Sequence, residues 1–184
     1  FKERPAVGSV VPDARWAVLS AKTFMRRHKI EPRANWRQEV ERWGLLFHTE
    51  GEGVYWDESA YYEFDALEIS RLERATNELH QMCLQAAQRV IDQREYARFG
   101  IPDYAVPMIE WAWEAEPPTL YGRFDLAYDG VEIKMLEYNA DTPTSLLEAA
   151  VVQWQWLEQR FPESDQFNSL YEALVAAWKR LKDE

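Results

Sequence analysis

Between Leu120 and Leu147 the chain reads LYGRFDLAYDGVEIKMLEYNADTPTSLL: two alternating segments either side of Asp129-Gly130, then a short polar loop that opens a helix. Alternation of polar and apolar residues marks a half-buried strand, and Asp-Gly is a strong hairpin signal. Residues two apart on a strand point to one face. Arg123 and Asp125 therefore share a face on the first strand, as do Glu137 and Asn139 on the second. If the two faces coincide, two carboxylates, one amide oxygen and one guanidinium converge on a small volume.

Hard divalent cations such as Mg²⁺ take oxygen donors and keep waters and substrate phosphates in their remaining positions. Asp125, Glu137 and Asn139 supply such oxygens, and Arg123 is a fixed cation whose planar fork suits phosphate. The competing reading makes them ordinary polar positions on a half-buried hairpin, Asp125 packed with Arg123 and Glu137 facing water. Register separates the two. A two-residue turn at Asp129-Gly130 pairs Asp125 with Lys134 and sends Glu137 to the opposite face, because a one-residue slip inverts every side chain. The register with Asp125 opposite Glu137 and Arg123 opposite Asn139 needs an odd-length loop centred near Val131. It sets Phe124 and Leu126 on one apolar face with Leu136 and Tyr138, and on that ground it is the expected one.

These residues resemble a known family. R-F-D, the twelve-residue step from Asp125 to Glu137, and E-Y-N-A-D-T-P-T-S-L-L-E-A are similar to the glutathionylspermidine synthase family, whose synthetase domain is an ATP-grasp carboxylate-amine ligase. The likeness extends through W-D-E-S-A-Y-Y at Trp56 to Tyr62, N-E-L-H-Q-M-C-L at Asn77 to Leu84 and S-D-Q-F-N-S-L at Ser164 to Leu170, covering Pro32 to about Leu181. The resemblance implies that Asp125, Glu137 and Asn139 are magnesium ligands and that Arg123 contacts the transferred phosphoryl group. It places Thr142 and Thr144 where the family has hydroxyl residues near the acid substrate.

A chain of 184 residues, 47% hydrophobic and 14% aromatic, is long enough for one domain with a core. Its formal charge of −11 argues against sequence-independent nucleic-acid binding and against an anionic membrane surface. A cationic co-substrate such as a polyamine would be drawn toward such a surface, but net charge alone does not identify one. The one cysteine, Cys83, rules out an intramolecular disulfide and fits a reducing, cytoplasmic setting. No apolar run reaches the length of about eighteen residues that a membrane span requires. Residues 1–24 lack the apolar core of a secretory signal and are expected to be a disordered extension, the domain proper occupying 25–184.

Along the chain, Pro32 to Trp43 is expected as a short helix with Asn35 as cap and Trp36, Val40 and Trp43 on one face. Leu45 to Thr49 and Val54 to Trp56 read as strands around a Gly-containing turn. His48 and the His80–Cys83 pair are expected to be structural rather than catalytic or zinc-binding. Asp57, Glu58 and Glu63 are expected as solvated charges among packed aromatics. A helix begins near Asp65 with a capping box to Glu68, buries Leu72, Thr76, Leu79, Cys83, Ala86 and Val90, and ends at Gly100. Further helices are expected over Asp103 to Glu114, Ser145 to Gln159 with a stripe of Leu147, Val151, Trp154 and Leu157, and Asp165 to Lys182 burying Phe167, Leu170, Leu174, Ala177, Trp178 and Leu181. Most of the nine tryptophans lie at core spacings; Trp156 falls off its stripe and is expected to face a neighbouring segment.

The fold class expected is α+β, a central antiparallel hairpin packed by several helices, as in a partial, pre-ATP-grasp synthetase domain. The function expected is the amino-terminal part of an Mg²⁺-dependent ligase that uses ATP as co-substrate and joins a carboxylate such as a glutathione-like peptide to an amine such as a polyamine through an acyl phosphate. Its other partner is the downstream half of the same protein, because the sequence holds no Gly-rich phosphate loop and only seven glycines. By itself the segment is expected not to catalyse. The alternative is a non-catalytic binding or interaction module that retains the fold.

Overall fold

The computed structural model describes residues 25–183; the extension expected at 1–24 lies outside them. The described elements are β1 (Arg26–Lys29), α1 (Trp36–Arg42), β2 (Thr49–Glu50), β3 (Gly53–Val54), β4 (Ala60–Glu63), α2 (Ala66–Asp92), α3 (Val106–Ala115), β5 (Arg123–Tyr128), β6 (Ile133–Asn139), α4 (Gln153–Arg160) and α5 (Leu170–Asp183), with 3₁₀ turns at Tyr96–Phe99 and Asp103–Ala105 and a π-helical segment at Glu148–Val152. The strands form three antiparallel pairs, β1 with β4, β2 with β3 and β5 with β6. The α+β expectation holds.

The apolar centre is small. Val40, Leu45 and Val152 are buried together, with Trp36, Trp43, Trp56 and Leu147 packed against them. Asn35 precedes α1 as expected, but its side chain caps no backbone N–H and donates to Glu39 Oε1 at 3.1 Å instead. Beyond Leu147 the buried residues are Ala150 and Val152, not Val151. The reason is the π-helical segment, whose wider turn moves the apolar stripe on by one position. Ala149 O in this segment accepts from Asn168 Nδ2 at 3.4 Å.

One expectation about charge is corrected. Glu58 is not solvated: it is buried and ion-paired with Arg33, which also donates from Nη1 to Gln159 at 2.7 Å, while Trp56 Nε1 donates to Glu58 at 3.1 Å. This pair ties the segment before α1 to the segment before β4 and to the end of α4. The β1–β4 pair was not expected, because Arg26-Arg27-His28-Lys29 carries no apolar alternation. It is held by backbone pairing and by Glu63, which accepts from Arg26 at 2.9 Å and meets His28 at 2.7 Å.

The expected strands around Gly51 shrink to two residues each, leaving Leu46 and Phe47 exposed. Helix α2 ends at Asp92, not Gly100, because Arg94 turns left-handed at φ 52° and a 3₁₀ turn follows. Ala86 is exposed and Ala87 takes its place on the half-buried face. Helix α5 starts at Leu170, later than expected, and Phe167, Trp111 and Trp178 are exposed rather than buried. Trp156 does meet a neighbouring segment, with Tyr61 at 5.6 Å between ring centroids.

Helix α2 carries the hairpin. Its capping box is complete: Asp65 Oδ1 accepts from Glu68 N at 2.8 Å, and Glu68 Oε2 accepts from Asp65 N at 3.1 Å. Glu68 is buried, and its Oε1 accepts from Met25 N and from the Tyr128 hydroxyl, each at 2.7 Å. One carboxylate thus joins the helix start, the chain ahead of β1 and the end of β5.

Candidate functional site

The pairing of β5 with β6 sets Asp125 opposite Glu137, Phe124 opposite Tyr138 and Arg123 opposite Asn139. That is the expected register, reached by a different route. The loop is not odd: Asp129, Gly130, Val131 and Glu132 form a four-residue turn between the paired Tyr128 and Ile133. The parity is restored by a β-bulge, since Leu126 pairs with Met135 while Asp125 pairs with Glu137, leaving Leu136 as the extra residue. Leu136 is accordingly exposed instead of lying on the apolar face, and Met135 takes its place opposite Leu126.

The turn is built by its own residues and by α2. Asp129 Oδ1 accepts from the N–H groups of Val131 and Glu132 at 2.8 and 2.7 Å, which holds its carboxyl below the usual range. Gly130 takes φ 92°, and Arg71 donates to the carbonyls of Gly130 and Val131. On the apolar side Phe124 and Tyr138 stack, and the Tyr138 hydroxyl meets His80 Nδ1 at 3.0 Å. His48 is likewise held by neighbours, bonding Thr49 and Glu41 and packing edge-on to Trp36.

On the polar side Arg123 is the hub. Its Nε donates to Asp125 Oδ1 at 2.8 Å and its Nη2 to Asp125 Oδ2 at 3.3 Å. Its Nη1 donates to Thr144 Oγ1 at 2.9 Å and to the Thr144 carbonyl at 3.2 Å. The hydrogen bonds that Arg123 donates to Asp125 are the main reason the guanidinium pKa lies above its ordinary value; burial opposes this, and the charges of Asp125 and Glu137 add to it. Glu137 is exposed. Asn139 Oδ1 accepts from Thr142 N at 3.1 Å, so Thr142 enters through its backbone, and Thr144 through both its hydroxyl and its carbonyl.

Sequence reasoning missed three neighbours. Tyr55 donates to Glu148 Oε1 at 2.7 Å, and its hydroxyl lies 3.5 Å from Ser145 Oγ. Ser145 adopts a left-handed φ of 68°, rare outside glycine and seen at functional sites. Tyr121 donates to the Pro143 carbonyl at 3.1 Å and fixes the loop from the other side. Ser145 lies next to Thr144 in sequence, but nothing in the sequence signals its left-handed turn. Tyr55 is 90 residues away from Ser145, and no local pattern points to it.

Among the described residues no group of three or more His, Cys, Asp or Glu side chains is placed to hold a metal ion. The oxygen donors that the hairpin aligns are two carboxylates and an amide, a set suited to a hard cation that retains other ligands.

A sequence profile described as glutathionylspermidine synthase preATP-grasp matches residues 27–184. This chain belongs to that family. Among its curated relatives, a Haemophilus influenzae protein named as an acid–amine ligase is 50% identical over 132 residues, 71% of this chain and 34% of the relative. The glutathionylspermidine synthase of Crithidia fasciculata is 37% identical over 112 residues, 56% of this chain and 15% of the relative. The bifunctional glutathionylspermidine synthetase/amidase of Escherichia coli is 33% identical over 134 residues, 70% and 22%. Within the glutathionylspermidine synthase family, then, the chain spans about a third or less of the length of these relatives. Among the described residues no helix is long and apolar enough to cross a membrane.

Proposed function

We propose that this chain carries the metal- and phosphate-facing hairpin of an ATP-dependent carboxylate–amine ligase. The register that sets Asp125 opposite Glu137 and Arg123 opposite Asn139 is the observation that supports it. Asp125, Glu137 and Asn139 would hold Mg²⁺, which when bound neutralises phosphate charge.

In such a reaction a carboxylate oxygen attacks the γ-phosphorus of ATP, ADP leaves, and an acyl phosphate forms. An amine nitrogen then attacks the acyl carbon, inorganic phosphate departs, and the nitrogen loses its proton to give the amide. Arg123 orients and stabilises the phosphoryl group in transit through hydrogen bonds that strengthen as charge builds on its oxygens. Thr142 and Thr144 lie on the loop that borders the acid substrate. The names of the relatives favour a glutathione-like peptide as acid and a polyamine as amine, the latter drawn by the net charge of −11. The groups that clasp adenine and the remaining phosphates belong, in this reading, to a downstream part of the full-length protein, and the segment alone does not turn over.

A thermal melt of the chain tests the metal reading. Millimolar Mn²⁺ or Mg²⁺ raises the melting temperature by linkage, more so with ATP present, and Asp125→Asn abolishes the shift. A second reading, a binding module that keeps the hairpin for stability, draws on the closure of Arg123 onto Asp125. A cation response identical in the chain and in Asp125→Asn would favour it.

A further inference from the structure

We propose that Arg123 and a divalent cation are alternative partners of Asp125, and that Thr144 is the pivot that keeps Arg123 at the site when it releases that carboxylate. This rests on the metal reading of the hairpin given above.

The three guanidinium nitrogens are divided between two supports. Nε and Nη2 engage the two oxygens of Asp125 at 2.8 and 3.3 Å, while Nη1 is held by the hydroxyl and carbonyl of Thr144 at 2.9 and 3.2 Å. The supports belong to different pieces of chain. Asp125 is on β5, whereas Thr144 is on the loop pinned by Tyr121 to Pro143 and by Asn139 to Thr142. Rotation of the guanidinium about its Thr144 contact therefore withdraws two nitrogens from Asp125 without losing the third.

Charge supplies the reason for the exchange. Asp125, Glu137 and Arg123 together carry −1, and a divalent cation makes the group +1, with a guanidinium and a dication crowded around one carboxylate. Repulsion between them is relieved when Arg123 turns away, and the N–H groups released then face outward as donors for an anion. Metal and phosphate are thereby coupled in order: the cation frees the arginine that the phosphate needs. Thr144 is on this account a positioning residue for Arg123, a role separate from any contact with the acid substrate.

The test is Mn²⁺ binding to the intact chain, followed by electron paramagnetic resonance of the unbound ion at fixed pH and salt, with folding of each variant checked by circular dichroism. Arg123→Gln is expected to bind Mn²⁺ on the order of tenfold more tightly, the factor that repulsion between a single and a double charge about 5 Å apart in water gives. Arg123→Lys keeps the charge without the two-oxygen fork and is expected to fall between Arg123→Gln and the unaltered chain. Asp125→Asn is expected to lose Mn²⁺ and to gain metal-independent affinity for tripolyphosphate, because Arg123 is no longer engaged. Thr144→Val should leave Mn²⁺ affinity unchanged and weaken tripolyphosphate binding in its presence. Unchanged or weaker Mn²⁺ binding by Arg123→Gln, in a chain that binds the ion, overturns the exchange while sparing the metal reading. An unchanged tripolyphosphate affinity in Thr144→Val overturns the pivot. No Mn²⁺ binding by any form overturns the metal reading and the exchange with it.

Discussion

The rings of Phe124 and Tyr138 stack across the β5–β6 pair, centroids 4.0 Å apart and planes 15° from parallel. Both residues point to the face opposite Arg123, Asp125, Glu137 and Asn139, since neighbours on a strand alternate sides. Their stack is the rear wall of the polar quartet, and whatever fixes Tyr138 fixes the alignment in front of it.

Gly122 is part of that wall. A Cβ there would lie 2.7 Å from the Tyr138 ring, so Gly122→Ala forces the ring off Phe124. The expected loss is about 1 to 3 kcal/mol in urea unfolding, typical of overpacking. Tyr138→Phe, which removes only the bond to His80, should cost about 1 kcal/mol. Gly122→Ala placed in Tyr138→Ala should cost far less than alone, because the clashing ring is gone; equal costs in both backgrounds would reject the contact.

The buried pair of Arg33 and Glu58 predicts an asymmetry. Removing one partner leaves an uncompensated charge inside, so Glu58→Ala should lose about 3 to 5 kcal/mol. Replacing both by apolar residues of similar size should recover much of that loss. Denaturant midpoints decide it, and a Glu58→Ala chain as stable as the parent would mean the pair is solvated after all.

Stability should fall at both ends of the pH scale, for separate reasons. Burial, then the bond to Glu68, raises the pKa of Tyr128; burial, then the bond to Glu110, raises that of Tyr96. A raised tyrosine contributes stability that is complete below the ordinary value near 10 and is lost as pH climbs through the folded value. Glu63, Asp57 and Asp129 are lowered, mainly by bonds from Arg26, Ser59 and Glu132 respectively, so their contribution is present above about pH 4 and lost as pH falls. Melting temperatures against pH should show both shoulders. Phenylalanine at positions 96 and 128 should flatten the alkaline one and leave the acid one in place.

The residues that were legible in the sequence were those whose partners lie close in the chain or opposite on a strand. The capping box of Asp65 and Glu68 needs only three residues, and each polar pair of the quartet follows from alternation along its own strand, whereas the two pairs face each other only because of the bulge. Misread features were set by distant contacts or by irregular backbone. Glu58 looked like a surface charge because Arg33 is 25 residues away. Val152 displaced Val151 because a π-turn changes the helix period without changing composition, and the bulge at Leu136 hid behind an apolar pattern that fitted a regular strand equally well.

Tyr104, Met108 and Trp111 recur at spacings of four and three yet are 82%, 70% and 67% exposed, along one edge of α3 and the turn before it. These three side chains therefore face solvent along one stripe. Trp111 emission should be quenched efficiently by acrylamide, and Trp111→Ser should reduce binding of an apolar dye while changing stability by no more than about 0.5 kcal/mol. A destabilisation of several kcal/mol would place Trp111 inside.

The bulge offers the sharpest check on how the quartet is aligned. With a four-residue turn and a regular ladder, Asp125 would face Leu136, and Glu137 would move to the apolar side beside Phe124. The extra residue shifts the count by one and returns Glu137 to the front. Deleting Leu136 is therefore expected to keep every other pair as it is, because Asp125 still meets Glu137 and Leu126 still meets Met135, now without an interruption. The deleted side chain is 71% exposed, so little packing is lost. By contrast, inserting one alanine beside Leu136 leaves two residues unpaired or slips the register, and should destabilise the hairpin. The Mn²⁺-dependent rise in melting temperature should survive the deletion and not the insertion. If the deletion folds but loses that response, the bulge aims Glu137 through its added twist and not through the count of residues alone.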